Sequence, residues 1–386
     1  MHWYIDGFSV FMVSVILTGI IIPQILLIAF RKKLFDTPDE RKIHTSAVPR
    51  LGGIAFMPAI LFSLCFVIGI DILLSRSNAM GITAPLLSLS TLGENSQWLV
   101  SLFFCLCSLL MIYLVGLADD LVGVRYRAKF IIQIMAALLM AAGSIRIDNL
   151  HGMLGIQQLP WPLAWGLSVL LTIYITNAIN LIDGIDGLAS GLSGVAMAFY
   201  GLAFMSAHQW INALIAFAAL GTLVPFFYYN VFGSARMGKK IFMGDTGSLT
   251  IGIILSYLAM EMTRIPNPDI FGSDIMVVAF VPLAIPCLDV VRVFVHRILR
   301  GKNPFNPDKV HIHHKLLAMG IPQRLAMILI VTASALTIAI NLWLSCHLGA
   351  FTILMLDLIT WIIFNWWLTR AIRARQRRLH ITDGYE

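Results

Sequence analysis

Residues 161–207 read WPLAWGLSVLLTIYITNAINLIDGIDGLASGLSGVAMAFYGLAFMSA. Two apolar runs, 161–179 and 188–207, are each close to the roughly 20 residues that carry a helix across a bilayer. Between them lies Asn177–Leu188, NAINLIDGIDGL, with two Asn, two Asp and two Gly. Carboxylates at the end of a membrane span are expensive, and they mark sites and pathways. The pattern predicts an all-α fold, a polytopic membrane helical bundle organised around this polar insert.

Composition points the same way. Of 386 residues, 59% are hydrophobic and 12% are charged, about half the charged share of a soluble domain. Eleven candidate spans follow: 8–30, 51–74, 98–117, 129–145, 161–179, 188–207, 211–230, 248–263, 274–291, 325–346 and 348–368. The first lacks the basic n-region and small-residue cleavage site of a signal peptide, so it is expected to stay in place. The five Cys lie in apolar runs without metal-type spacing, which predicts neither disulfides nor zinc.

The basic residues set the orientation. Lys and Arg concentrate on cytoplasmic loops, and with these spans 24 of the 27 fall on one side, leaving only Arg76, Arg146 and Arg264 on the other. An odd number of spans places the N-terminus outside and the C-terminus in the cytoplasm. The chain reads as a single integral-membrane domain over 1–386, with a basic tail at 369–386 suited to anionic headgroups.

Four further polar stretches fall on the same cytoplasmic face. Asp36–Gly53, DTPDERKIHTSAVPRLGG, combines basic residues, Lys42 among them, with Gly-rich turns, a mixture suited to phosphate. Gly116–Lys129, GLADDLVGVRYRAK, sets Asp119 beside Asp120; two adjacent carboxylates need a cation, and Lys129 or a divalent metal can supply it. Lys239–Gly252, KKIFMGDTGSLTIG, presents Asp245 between glycines at the start of a span, just after Phe242. Arg297–Gly320, RILRGKNPFNPDKVHIHHKLLAMG, is the most basic loop and holds His311, His313 and His314. It has no Cys and its nearby acids are hard oxygen ligands, so phosphate binding by His and Arg fits better than a transition metal. In the insert itself Asn177, Asn180, Asp183 and Asp186 recur every third residue, so their oxygens can line one helical face and suit Mg2+ rather than zinc. Asp289 is a buried acid placed to pair with Arg292 or Arg297. Each stretch taken alone is also compatible with a solvated loop, a capped helix end or plain packing. Their convergence points to a phosphorylated, nucleotide-linked substrate meeting a lipid.

The series KIHTSAVPRLGG, GLADDL, NAINLIDGIDGL, FMGDTGS and HIHH resembles the polyprenyl-phosphate N-acetylhexosamine-1-phosphate transferases, over about Asp36 to Gly320. HIHH preceded by NPFNPDK is similar to the branch resembling undecaprenyl-phosphate GlcNAc-1-phosphate transferase. The branch that moves MurNAc-pentapeptide carries an acidic residue where Lys315 stands here. The resemblance implies transfer of an N-acetylhexosamine-1-phosphate from a UDP-N-acetylamino sugar to undecaprenyl phosphate, with release of UMP, at the inner membrane of a bacterium. It implies Mg2+, replaceable by Mn2+, on Asp245 and Asn180, and catalytic roles for Asp119, Asp120, Asp245, His311 and His313. Asp183 and Asp186 would hold the nucleotide, with Phe242 stacking on its base. Lys42, Lys129, Asn177, Arg300 and His314 would complete substrate binding. Membrane lipid is an expected partner and nucleic acid is not; a homodimer stays open, as do the amino sugar and the polymer served. A transporter is the rival class, but transporters place their sites near the bilayer midplane, whereas these polar residues cluster at one face.

Overall fold

The computed structural model describes residues 2–35, 48–76, 97–265, 272–301, 303 and 310–378. The chain runs through α1 (His2–Lys32), α2 (Phe56–Arg76), α3 (Gln97–Val122), α4 (Tyr126–Ala142), α5 (Trp161–Ile182), α6 (Leu188–Ser206), α7 (Trp210–Phe227), α8 (Gly244–Thr263), α9 (Ile275–Phe280), α10 (Ala284–Leu299), α11 (Ile312–Ala318), α12 (Gln323–Ser345) and α13 (Ala350–Arg378). A π-helical turn, Tyr228–Phe232, extends α7. An isolated bridge pairs Asn149 with Gln158.

Among the described residues nine helical segments are long and apolar enough to cross a membrane, and the chain is a multi-pass membrane protein. They match nine of the eleven expected spans. The other two are helical but differ in kind. α4, expected at 129–145, has 17 residues, at the short limit for a span. α8, expected at 248–263, carries Asp245 and Glu261, and every other residue in it is buried. It is surrounded by protein rather than lipid, so its surface need not be as apolar as that of a peripheral helix.

α8 is the axis of the bundle. It packs against α3 and α5, with α6, α7 and α9 in further contact, while α1 lies on α7 and α2, and α12 on α6. The outer helices present apolar side chains outward, as with Ile359, Ile362, Ile363, Trp366 and Trp367 on α13, an apolar patch of the kind that marks a membrane-facing surface. Small hydroxyls join helices inside: Ser14 Oγ donates to Ser63 Oγ at 2.7 Å and Ser108 Oγ to the Ala136 carbonyl at 2.9 Å. Such bonds satisfy polar groups that lipid cannot. At one end of the bundle the 143–160 connection meets the end of α8, where His151 Nε2 pairs with the Thr263 carbonyl at 2.8 Å. At the other end gather the start of α8, the ends of α3, α5 and α10, and α11.

Candidate active site

The site is built on the first turn of α8. Gly244 has φ +72°, and a Cβ there would lie 2.2 Å from the Arg50 carbonyl and 2.5 Å from Asp120 Oδ2, so only glycine turns the chain here. The turn aims the first free N–H groups of α8 at Asp120 on α3. Asp120 Oδ1 accepts from Asp245 N at 2.8 Å, and Oδ2 accepts from Thr246 N at 2.8 Å and Thr246 Oγ1 at 2.6 Å. Asp120 thus caps a helix from another part of the chain, an anion on the positive end of a helix dipole. The first loop closes the same corner: Gly52 N and Gly53 N donate to the Phe242 and Met243 carbonyls, each at 2.9 Å.

Asp245 points from this turn into the cleft. Lys129 Nζ, from α4, pairs closely with Asp245 and lies 3.1 Å from Asp119 Oδ2. The Lys129 partner expected for the adjacent acids is therefore present, and it bridges Asp119 to Asp245 rather than to Asp120. Asp119 Oδ1 accepts from Val124 N at 2.7 Å. Asn180 Nδ2 donates to Ser248 Oγ at 2.8 Å and Asp245 Oδ1 at 3.2 Å.

The polar insert does not form one helical face. α5 ends at Ile182, and Asp183 is its C-cap. Asp183 is exposed in the cleft and lies within electrostatic reach of Arg50, Asp120, Asp186 and Asp245. Asp186 sits in the turn before α6 and pairs with Lys240 Nζ at 2.5 Å. Lys240 in turn lies 5.9 Å from the centroid of the Phe242 ring. Asn177 pairs outside this group: its Nδ2 donates to Gln133 Oε1 at 2.6 Å and its Oδ1 accepts from Gln133 Nε2 at 3.4 Å. It ties α5 to α4 one turn deeper, and it falls outside the cleft constellation.

The His motif closes the other wall. His313 packs on the insert, where a Cβ on Gly184 would lie 2.2 Å from its Nε2. The His311 and His313 rings stack at 5.8 Å and 7°, and His314 lies 4.2 Å from His313 between centroids. Both ring nitrogens of His313 are buried without a partner among the described residues, and burial with His314 and His311 beside it holds this imidazole well below its usual range. Lys315 is buried and donates to Asn365 Oδ1 at 3.0 Å and Thr369 Oγ1 at 3.1 Å, docking α11 on α13. Arg300 is exposed at the end of α10. Lys42 lies outside the described residues.

Sequence reading missed two linking residues. Asn230 is buried, accepts from Gly187 N at 2.6 Å and donates to the Ile241 carbonyl at 2.9 Å, joining the insert to the segment before Asp245. Its signal was an amide at the apolar end of a span. Lys240, the partner of Asp186, had only its charge to show.

Among the described residues no cluster of three or more His, Cys, Asp or Glu could cage a metal alone. Asp245 offers one carboxylate, and Asn180 would add its amide oxygen only with the amide flipped, since its Nδ2 faces Asp245 and Ser248; this hard, incomplete set would suit Mg2+ completed by water and substrate phosphate.

Residues 102–263 match the family model for glycosyl transferase family 4. The chain is 30% identical over 366 residues to the undecaprenyl-phosphate alpha-N-acetylglucosaminyl 1-phosphate transferase of Salmonella typhi, covering 91% of this chain and 90% of the relative. The chain belongs to glycosyl transferase family 4. It is also 28% identical over 388 residues to the protein of the same name in Escherichia coli strain K12, covering 96% and 97%. Identity to a probable undecaprenyl-phosphate N-acetylglucosaminyl 1-phosphate transferase of Bacillus subtilis strain 168 is 28% over 358 residues, 90% of each. The glycosyl transferase family 4 match runs from α3 to the end of α8, so it holds Asp119, Asp120, Lys129, Asn180, Asp183, Asp186 and Asp245, while the His motif lies beyond it.

Proposed function

We propose that this chain moves GlcNAc-1-phosphate from UDP-GlcNAc to undecaprenyl phosphate, releasing UMP, as a first membrane step of cell-envelope polysaccharide synthesis. The observation that carries the reading is the cleft in which Lys129 bridges Asp119 and Asp245 while His313 packs against the Asp183–Asp186 turn. The names of the relatives supply the acceptor and the sugar. Eleven spans, with the basic loops inside, would put this cleft at the cytoplasmic face of the inner membrane.

The reaction joins two anions. A lipid phosphate oxygen attacks the β-phosphorus of the donor, the bond from that phosphorus to the bridging oxygen breaks, and UMP leaves. A phosphate monoester with a second pKa of about 6 is largely dianionic at neutral pH, so charge repulsion is the larger obstacle. Unit charges 4 Å apart interact by about 4 kcal/mol at an effective dielectric near 20. Lys129, Arg300 and the His motif offset this by donating to phosphate oxygens. Asp119 takes the proton of the minor monoanionic acceptor in this reading. Asp186 and Lys240 hold the nucleotide, with Phe242 beside its base. Asp120 acts through the α8 turn that carries Asp245. Mg2+, or Mn2+ in its place, would be held by Asp245 and Asn180 and would neutralise the diphosphate and the departing UMP.

The test uses purified protein in detergent with donor labelled separately in uridine and in the β-phosphate. The β-phosphate label should enter the lipid while the uridine label stays in water as UMP. Asp245→Asn should abolish both transfer of the β-phosphate label and release of labelled UMP, and full activity in that variant would remove Asp245 from the site.

A further inference from the structure

Asp289 is 0% exposed, on α10, which packs against α5. A buried carboxylate is costly unless paired and hydrogen-bonded, and both of its oxygens are engaged. Oδ2 pairs with His311 Nδ1 at 2.9 Å. Oδ1 accepts from Arg292 Nη2 at 2.7 Å and Nε at 3.2 Å. The Ile312 N–H, first in α11, lies 3.2 and 3.3 Å from the two oxygens. Arg292 Nη2 also donates to the Val310 carbonyl at 2.5 Å. One carboxylate therefore clamps residues 310–312 onto α10.

We propose that Asp289 is a positioning residue that sets the tautomer and the aim of His311. The proposal rests on reading His311 as a group that meets the reacting phosphates. Ionised Asp only accepts hydrogen bonds, so the hydrogen between the two groups stays on Nδ1. Nε2, across the ring, is left for substrate, as an acceptor or, once protonated, as a donor to a phosphate oxygen. The ring it fixes is stacked on His313, which abuts Gly184, so His311 sits one ring away from the nucleotide turn. Asp289 is too deep to touch substrate and acts only through His311.

Asp289→Asn keeps the shape and reverses the polarity at one atom. The two Arg292 N–H groups hold the Asn oxygen, which turns the amide nitrogen to His311 Nδ1 and moves the ring hydrogen to Nε2. That ring can still donate from Nε2 as a neutral group, but it loses the carboxylate that steadies the protonated, charged donor facing phosphate. The experiment measures kcat and the KM for UDP-GlcNAc with undecaprenyl phosphate for Asp289→Asn, Asp289→Glu, His311→Gln and the double variant Asp289→Asn with His311→Gln. Asp289→Asn is expected to lose about tenfold or more in kcat with donor KM within about twofold, Asp289→Glu to keep more than Asp289→Asn, and Asp289→Asn to add less than about twofold in the His311→Gln background. Independent, multiplying losses would overturn the proposal, as would full turnover in Asp289→Asn while His311→Gln is inactive. Full turnover in His311→Gln would refute the phosphate role of His311 and take the positioning role with it. If Asp289→Asn fails to fold, the comparison of Asp289→Glu with and without His311→Gln decides by the same rule.

Discussion

Replacing Asp120 with Asn separates a structural anchor from a proton acceptor. Three donors converge on this carboxylate, the N–H groups of Asp245 and Thr246 and the Thr246 hydroxyl, all between 2.6 and 2.8 Å. Hydrogen bonds to a charged acceptor contribute about 1.5–3 kcal/mol each, and an anion at a helix N-terminus about 0.3–2 kcal/mol. Asn keeps one oxygen, so one donor faces an amide NH2 and the dipole loses its counter-charge. Water from the cleft replaces part of this, leaving a net loss of about 1–3 kcal/mol. Because Asp245 is carried on the same turn, the variant should lose thermal stability, need more Mg2+ for half-maximal rate, and turn over more slowly, all together. The assays are a thermal unfolding scan in detergent and a Mg2+ titration of the transfer rate. If Asp120→Asn keeps wild-type stability and Mg2+ half-saturation while losing only kcat, Asp120 is a base and the anchoring argument is wrong.

Lys129→Met leaves Asp119 and Asp245 facing each other. Both were in reach of one ammonium, so their oxygens lie within about 6 Å and repel by roughly 3 kcal/mol at an effective dielectric near 20. Donor KM should rise about 100-fold in steady-state kinetics, and an unchanged KM would refute the bridge. Lys315 gives a pH signature in stability. Burial, with Arg292 nearby, pushes its ammonium down to about 7, against an unfolded value of about 10.4. Between these values the unfolded chain binds the extra proton, so this group makes stability rise with pH by about 1 kcal/mol per unit, up to pH of about 10. Unfolding scans of wild type and Lys315→Met from pH 7 to 9.5 should show the slope only in wild type; the same slope in both would reject it. Asn230→Ala unties the insert from the segment before Asp245. It should lower stability by about 1–3 kcal/mol and raise donor KM, and a variant identical to wild type in both would show that this link is dispensable.

The spans were legible because hydrocarbon selects long apolar runs regardless of what packs beside them. The outer spans could be located, although α13 runs ten residues past the expected end at 368 and α10 eight past 291. α8 was the exception in kind: its neighbours are protein, so its polar content at Asp245 and Glu261 lowered the signal that lipid would have demanded. The cleft acids were legible as costly groups at span ends, and Lys129 as the cation that offsets them. Their mutual arrangement was not. A spacing of three suggests one face only while the helix lasts, and α5 stops at Ile182, before Asp183. Asn177 shares α5 with Asn180 but lies one turn deeper, where it meets Gln133, one turn along α4 from Lys129. The cap on α8 required knowing that the end of α3 meets its start, a fact of tertiary packing that local sequence does not carry. Asp289 was recognised as a buried acid needing a cation; that His311 shares it with Arg292 depends on where α11 docks.

We propose that one cleft, centred on Asp245 and Lys129, holds the metal and the donor diphosphate. The most direct measurement is an anomalous difference map from crystals of the protein grown with Mn2+ and UDP-GlcNAc. A single strong peak is expected within about 2.0–2.3 Å of an Asp245 oxygen, with the diphosphate between it and the His motif. A metal peak at the opposite end of the bundle, near His151 and Asp274, or a nucleotide bound away from Asp186, would contradict it.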